Sequence, residues 1–183
     1  MKTLVVLAHP GIGERSLANR IIIERIRPIE GVTIKDLYKE CPSFRFNVEA
    51  EHKALLAAGS IVFQFPFYWY SVPGILKEWL DQVFTYGFAY GSSGDKLKGK
   101  KFLVSTTIGG PEDAYREGGY NNFSIDDLLT PLRQTANLSG MHYNTPIVSH
   151  NMIYIPGVYN KKEEVEQRAR DHAEKLQRYI ERN

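Results

Sequence analysis

Cysteine is nearly absent from this chain. Cys41 stands alone among 183 residues, which excludes an internal disulfide and a thiolate metal cluster and suits a reducing compartment, so the cytosol is the expected location. Long apolar runs are missing too: the opening run, Leu4 to Ala8, stops at His9 and Pro10, too soon for a signal peptide or a bilayer span. Charge of one sign is also scarce. With 23 basic and 21 acidic residues the net charge is +2, and no block marks a nucleic-acid or polyanion surface. No proline- or glycine-rich linker divides the chain, so one domain over residues 1–183 is expected. The sequence has no Walker pattern and no internal repeat, and none of its five histidines stands at metal-ligand spacing from another, so no metal is expected.

What the chain does contain is an alternation of short apolar runs with amphipathic stretches. Leu4 to Ala8, Val32 to Leu37, Ile61 to Phe65, Phe102 to Thr106 and Thr145 to Ser149 read as strands, Pro146 being tolerable at an edge. Between them, helices are expected from Ser16 to about Ile26, from an Asn47 cap through Ala58, and behind Ser71-Val72-Pro73. A further helix starts at the capping box Ser124 to Asp127 and ends at Gly140. The last runs from Lys161 to about Arg182, capped by Asn160 with Glu163. About five strand–helix alternations call for an α/β fold, a doubly wound parallel sheet covered on both faces. Its strand order is either the flavodoxin-like 2-1-3-4-5 or the dinucleotide-binding one.

Three strand ends then bear on function. After the central strand come Pro66, Phe67, Tyr68, Trp69 and Tyr70, aromatic rings where a surface loop belongs, at the sheet edge where ligands bind. Each ring taken singly is as well explained by the core. The first loop carries Gly11-Ile12-Gly13-Glu14-Arg15-Ser16, a near miss for the dinucleotide fingerprint with Asp36 about twenty residues on. Ser16 to Asn19, with the free N–H groups of Leu17 and Ala18, offer instead a helix amino end suited to one phosphate. The ordinary reading of Ser16 alone is a helix cap, and of His9 a turn residue. The fourth strand leaves through Thr107, Ile108, Gly109 and Gly110, where paired glycines admit a ligand close to the backbone or simply form a turn. A phosphate cradle, an aromatic wall and a glycine floor together describe a site for flavin mononucleotide (FMN).

Along nearly its whole length the sequence resembles the flavodoxin-fold NAD(P)H:quinone oxidoreductases, nearest to the ancillary flavoproteins of glutathione-gated potassium-efflux systems and more distantly to DT-diaphorase. The likeness is carried by Ala8-His9-Pro10 with Ser16 to Asn19, by Gln64 to Trp79, by Phe88 to Gly91, and by Thr106 to Gly110. It implies the 2-1-3-4-5 order and flavin contacts from His9, Ser16, Leu17, Ala18, Asn19, Phe67, Tyr68, Trp69, Tyr70, Thr107, Ile108, Gly109 and Gly110, with FMN as cofactor and FAD the alternative. Tyr115 falls where DT-diaphorase has an active-site tyrosine, and Asn121 falls at the spacing of that enzyme's histidine. The expected reaction is a two-electron ping-pong in which NAD(P)H passes hydride to the flavin, leaves, and is followed by a quinone-like acceptor. The N–H groups of Ile108 to Gly110 and the Tyr115 hydroxyl would stabilise the charge that reduction creates. The resemblance also implies a homodimer. Rival readings are a flavodoxin-type electron carrier, disfavoured by the charge of +2, a regulatory subunit of a potassium-efflux antiporter at the inner membrane face, and a dinucleotide-binding protein.

Overall fold

A computed structural model describes residues 1–13 and 16–183; Glu14 and Arg15, inside the first-loop glycine pattern, lie outside them. Four apolar runs form parallel strands, β1 Thr3–Leu7, β2 Val32–Asp36, β3 Ser60–Pro66 and β4 Lys101–Thr107, in the order β2-β1-β3-β4. The outer side of β4 is filled by two short pieces, β5 His142–Tyr143 and β6 Ile147–Ser149. The sheet therefore has the flavodoxin-like 2-1-3-4-5 order, which reverses between β1 and β3. The helices are α1 Leu17–Ile26, α2 Leu37–Glu40, α3 Val48–Ala57, α4 Gly74–Val83, α5 Ile125–Leu128, α6 Thr130–Leu138 and α7 Lys162–Glu181.

Successive strand residues face opposite sides of a sheet, and the two cores follow from that alternation. Leu4, Val6, Ile61, Phe63, Phe65, Phe102 and Val104 join Leu55, Trp79 and Leu132 from α3, α4 and α6 on one side. Val5, Leu7, Val62 and Leu103 meet Ile22, Ala169 and Leu176 from α1 and α7 on the other. Phe63 stands edge-on to both Trp79 and Phe102, at centroid distances of 5.7 and 4.8 Å, which adds about 0.5–1.5 kcal/mol per pair beyond the buried area.

Four departures from the sequence reading have local causes. The helix expected from Ser124 to Gly140 is two, broken at Leu129, because Pro131 sits in the first turn of α6 and cannot continue an earlier hydrogen-bond ladder. The expected last strand is split: the pairing offset from β4 changes from Lys101↔His142 to Ser105↔Ile147, one extra residue in the edge strand around Pro146, which has no N–H to offer. Helix α2 had no counterpart in the reading; Asp36 caps it by accepting from the Lys39 N–H at 3.2 Å. Asp36 is thus a cap and not the ribose-binding acid of a dinucleotide site. Finally, α7 is capped by Lys161, whose N–H donates to Glu164, while Asn160 lies at φ 54° and bonds the Ile153 carbonyl. No described helix is long and apolar enough to cross a membrane.

Candidate active site

At the carboxyl ends of β1, β3 and β4, beside the point where strand order reverses, opens a cleft of about 670 Å³. Ligands of open α/β sheets bind in this crevice. Its lining includes His9, Ser16, Leu17, Asn19, Phe67, Tyr68, Thr107, Ile108, Gly109, Gly110 and Tyr115. Two expected aromatic contacts, Trp69 and Tyr70, do not line it, and the methyl group of Ala18, a residue expected there for its N–H, is buried in the core that α1 and α7 share. Trp69 is 91 % exposed and Tyr70 is turned away to donate from its hydroxyl to Asn121 Oδ1 at 3.1 Å.

The reason lies in the backbone. Tyr68 and Ser71 exchange N–H···O=C bonds of 3.1 and 3.0 Å, closing a tight turn in which Trp69 and Tyr70 both have positive φ, 46° and 60°. Residues other than glycine hold that region at a cost of roughly 1–3 kcal/mol each. The turn sets the rings apart: Phe67 is buried and Tyr68 half-exposed at the cleft, Trp69 faces solvent, and Tyr70, half-exposed like Tyr68, lies beside Asn121 and Tyr115.

At the first strand end, Ser16 caps α1 in extended conformation, accepting from the Asn19 N–H at 3.1 Å. Its cap role and its place in the cleft are compatible, since a capping hydroxyl still has its own hydrogen to donate. His9 is buried, and burial lowers its pKa to about 4. It is therefore neutral at pH 7, with Nδ1 meeting no partner among the described residues.

At the third strand end, the Ile108 N–H is taken by the Ser149 carbonyl at 2.8 Å, so it cannot serve a ligand as expected. No described backbone carbonyl takes the N–H of Gly109 or Gly110. The Tyr115 ring lies over Gly110, where a Cβ would stand 3.5 Å from Cε2, and edge-on to Phe67 at 6.3 Å. Burial, then the neighbouring Tyr70 and Tyr159, raise the Tyr115 pKa, so its phenol keeps its proton. A histidine absent from the expected spacing arrives from another part of the chain. His150 stacks obliquely on Tyr115 at 5.4 Å, with Nδ1 buried and without a partner among the described residues, its pKa lowered by burial against the Gly110 carbonyl and Glu112.

Sequence reasoning also missed the segment after β6. Met152, Ile153 and Tyr154 line the cleft, and Ile153 Cδ1 lies 2.5 Å from where a Cβ on Gly109 would stand. The signal was topological: every loop at the carboxyl edge of this sheet is a candidate, the last included. Among the described residues no cluster of His, Cys, Asp and Glu could hold a metal ion.

The chain is similar to proteins of established family. A family described as having the flavodoxin-like fold matches residues 1–180. An uncharacterized NAD(P)H oxidoreductase of Bacillus subtilis, YrkL, is 39 % identical and covered over 98 % of both chains. The glutathione-regulated potassium-efflux ancillary protein KefG of Serratia proteamaculans is 44 % identical over 80 % of each. The solved structure of general stress protein 14 from Treponema denticola, in complex with FMN, superposes with a TM-score of 0.85 at 36 % identity, over 96 % of this chain and 98 % of that one. Strand order, cleft position and these likenesses agree: this chain belongs to the flavodoxin-like fold family.

Proposed function

We propose that the protein binds FMN in this cleft and acts as an NAD(P)H oxidoreductase on quinone-like acceptors. The observation that carries the reading is the convergence of a helix-cap hydroxyl, aromatic rings and two glycines with uncommitted N–H groups in one cleft. The residues present fit the cofactor. Ser16 and the amino end of α1 offer donors to a phosphate; Phe67 and Tyr68 offer flat apolar surface; a side chain at Gly109 would collide with Ile153, which also lines the cleft. Bound there, FMN would take hydride from NAD(P)H and pass it to the acceptor in a ping-pong sequence. The chain's part would be to orient and to stabilise: the Gly109 and Gly110 N–H groups, which no described backbone carbonyl takes, and the protonated Tyr115 hydroxyl would donate to developing negative charge.

Steady-state oxidation of NADH or NADPH by flavin-loaded protein, with and without a simple quinone, tests this. The expected outcome is quinone-dependent turnover; no turnover, with a stable one-electron form on photoreduction, would favour the carrier reading instead. The likeness to KefG favours a second reading, an ancillary role at a potassium-efflux antiporter on the cytoplasmic side, compatible with redox activity. The family resemblance, with exposed Tyr86 and Tyr90, supports a homodimer, which sedimentation equilibrium checks.

A further inference from the structure

A buried hydrogen-bond chain runs from the cleft floor through the sheet to α7. Asn19 Nδ2 donates to Ser16 Oγ at 3.1 Å and to Thr107 Oγ1 at 3.0 Å. Gln64 Nε2 donates to Asn19 Oδ1 at 2.9 Å, and the Ser105 hydroxyl to Gln64 Oε1 at 2.6 Å. His172 then bridges Ser105 Oγ through Nε2 at 2.7 Å and Ser149 Oγ through Nδ1 at 2.8 Å. Asn19, Gln64, Thr107, Ser105 and His172 are all buried.

Each link constrains the next. Both hydrogens of Asn19 Nδ2 meet hydroxyl oxygens, so Oδ1 is left to accept from Gln64. Gln64 Oε1 must then accept, which makes Ser105 a donor and leaves it to accept from a protonated Nε2 of His172. Nδ1 accepts in turn from Ser149. At the other end, Ser16 Oγ accepts from both the backbone N and Nδ2 of Asn19, so only its hydrogen remains to offer; Thr107 keeps its hydrogen too. Turning both amides over would reverse every link. One Asn19 hydrogen would lose its acceptor, both cleft hydroxyls would donate inward, and His172 would carry its proton on Nδ1. An unpaired buried donor costs roughly 1–3 kcal/mol, which favours the first order.

We propose that this chain sets the donor sense of the cleft floor: His172, protonated on Nε2, is a positioning residue that keeps the Ser16 and Thr107 hydroxyl hydrogens available and so selects a ligand whose buried end presents only acceptors, such as a phosphate monoester. Naming that ligand as FMN rests on the function proposed above; the proton order does not.

Two-bond ¹⁵N–¹H correlation spectra of the full chain, with His172 assigned by its loss in His172→Gln, test the proton order directly. The ring is expected as the Nε2–H form; the Nδ1–H form would overturn the proposal. Binding supplies a second arm. Gln64→Leu frees Asn19 to turn over, so FMN affinity should fall about tenfold while riboflavin, which lacks the phosphate, loses far less. Equal losses for both would mean a merely structural role and would overturn the assignment. A protein that shows Nε2–H but binds no flavin keeps the donor order and removes the flavin reading instead.

Discussion

Two polar clusters in the interior meet the cost of burial in opposite ways. Under α3 the cluster is ionic: buried Glu51 lies between Lys35 Nζ and Trp79 Nε1, both at 2.9 Å, and Lys35 also reaches Glu40. Under α1 and α7 it is neutral, the chain from Ser16 to His172. None of Lys35, Glu40, Glu51 and Trp79 lines the cleft, whereas Ser16, Asn19 and Thr107 do. A fixed charge beside an anion site would bind or repel at a distance. A neutral chain instead has a direction, and it can orient hydroxyls without adding charge. The ionic cluster therefore belongs to the stability of the fold and the neutral one to its chemistry.

Removing one partner of the ionic cluster should have the largest effect. Glu51→Ala leaves the Trp79 N–H unpaired and the Lys35 ammonium with Glu40 alone, an expected loss of about 3 kcal/mol in urea unfolding, the low end for a broken buried pair, with FMN affinity changed less than about twofold. Equal damage to binding would erase the division between the clusters.

Next in size is the response to pH, where the clusters differ in sign. Burial holds His172 near pKa 3 and His9 near 4, against 6.5 unfolded. Between those values the unfolded chain binds more protons, so this stability is complete above about pH 6.5 and is lost as pH falls, each histidine contributing a slope approaching 1.4 kcal/mol per pH unit, to about that accuracy. For Lys35 burial lowers the pKa, but the Glu51 and Glu40 carboxylates prevail and raise it above 10.5. That contribution is complete below 10.5 and is lost as alkali carries the pH through the raised value. Unfolding midpoints at pH 7 and pH 5 check the acid limb, which should flatten in His172→Gln.

The smallest effect on folding is expected at the cleft floor. In Gly109→Val the new Cβ meets only the flexible end of Ile153, so the thermal midpoint should fall by a few degrees while FMN affinity drops about tenfold or more as Ile153 is pushed into the cleft. A parallel loss of both would place Gly109 among residues that only support the fold.

The strands and most helices were legible because hydrophobic period and caps are local signals, whereas the strand order came only with the family resemblance. Ser16, Asn47 and Ser124 all cap where the sequence said they would. What escaped was non-local. Trp69 and Tyr70 read as cleft rings until a turn with two positive φ angles sent Trp69 into solvent and Tyr70 to Asn121. His150 and His172 had no motif to announce them, since their partners, Tyr115 and Ser105, lie 35 and 67 residues away along the chain. Ile153 lines the cleft from the segment after β6, which carries no motif of its own.

The central claim is that the cleft at the strand ends holds one flavin phosphate and its ring. Acid release from purified protein, with mass and absorbance of what comes off, tests it most directly. The account predicts a yellow protein yielding about one FMN per chain, or a colourless one that takes up FMN to that ratio with quenched fluorescence. A chain that neither carries FMN nor binds it at micromolar concentration would contradict it.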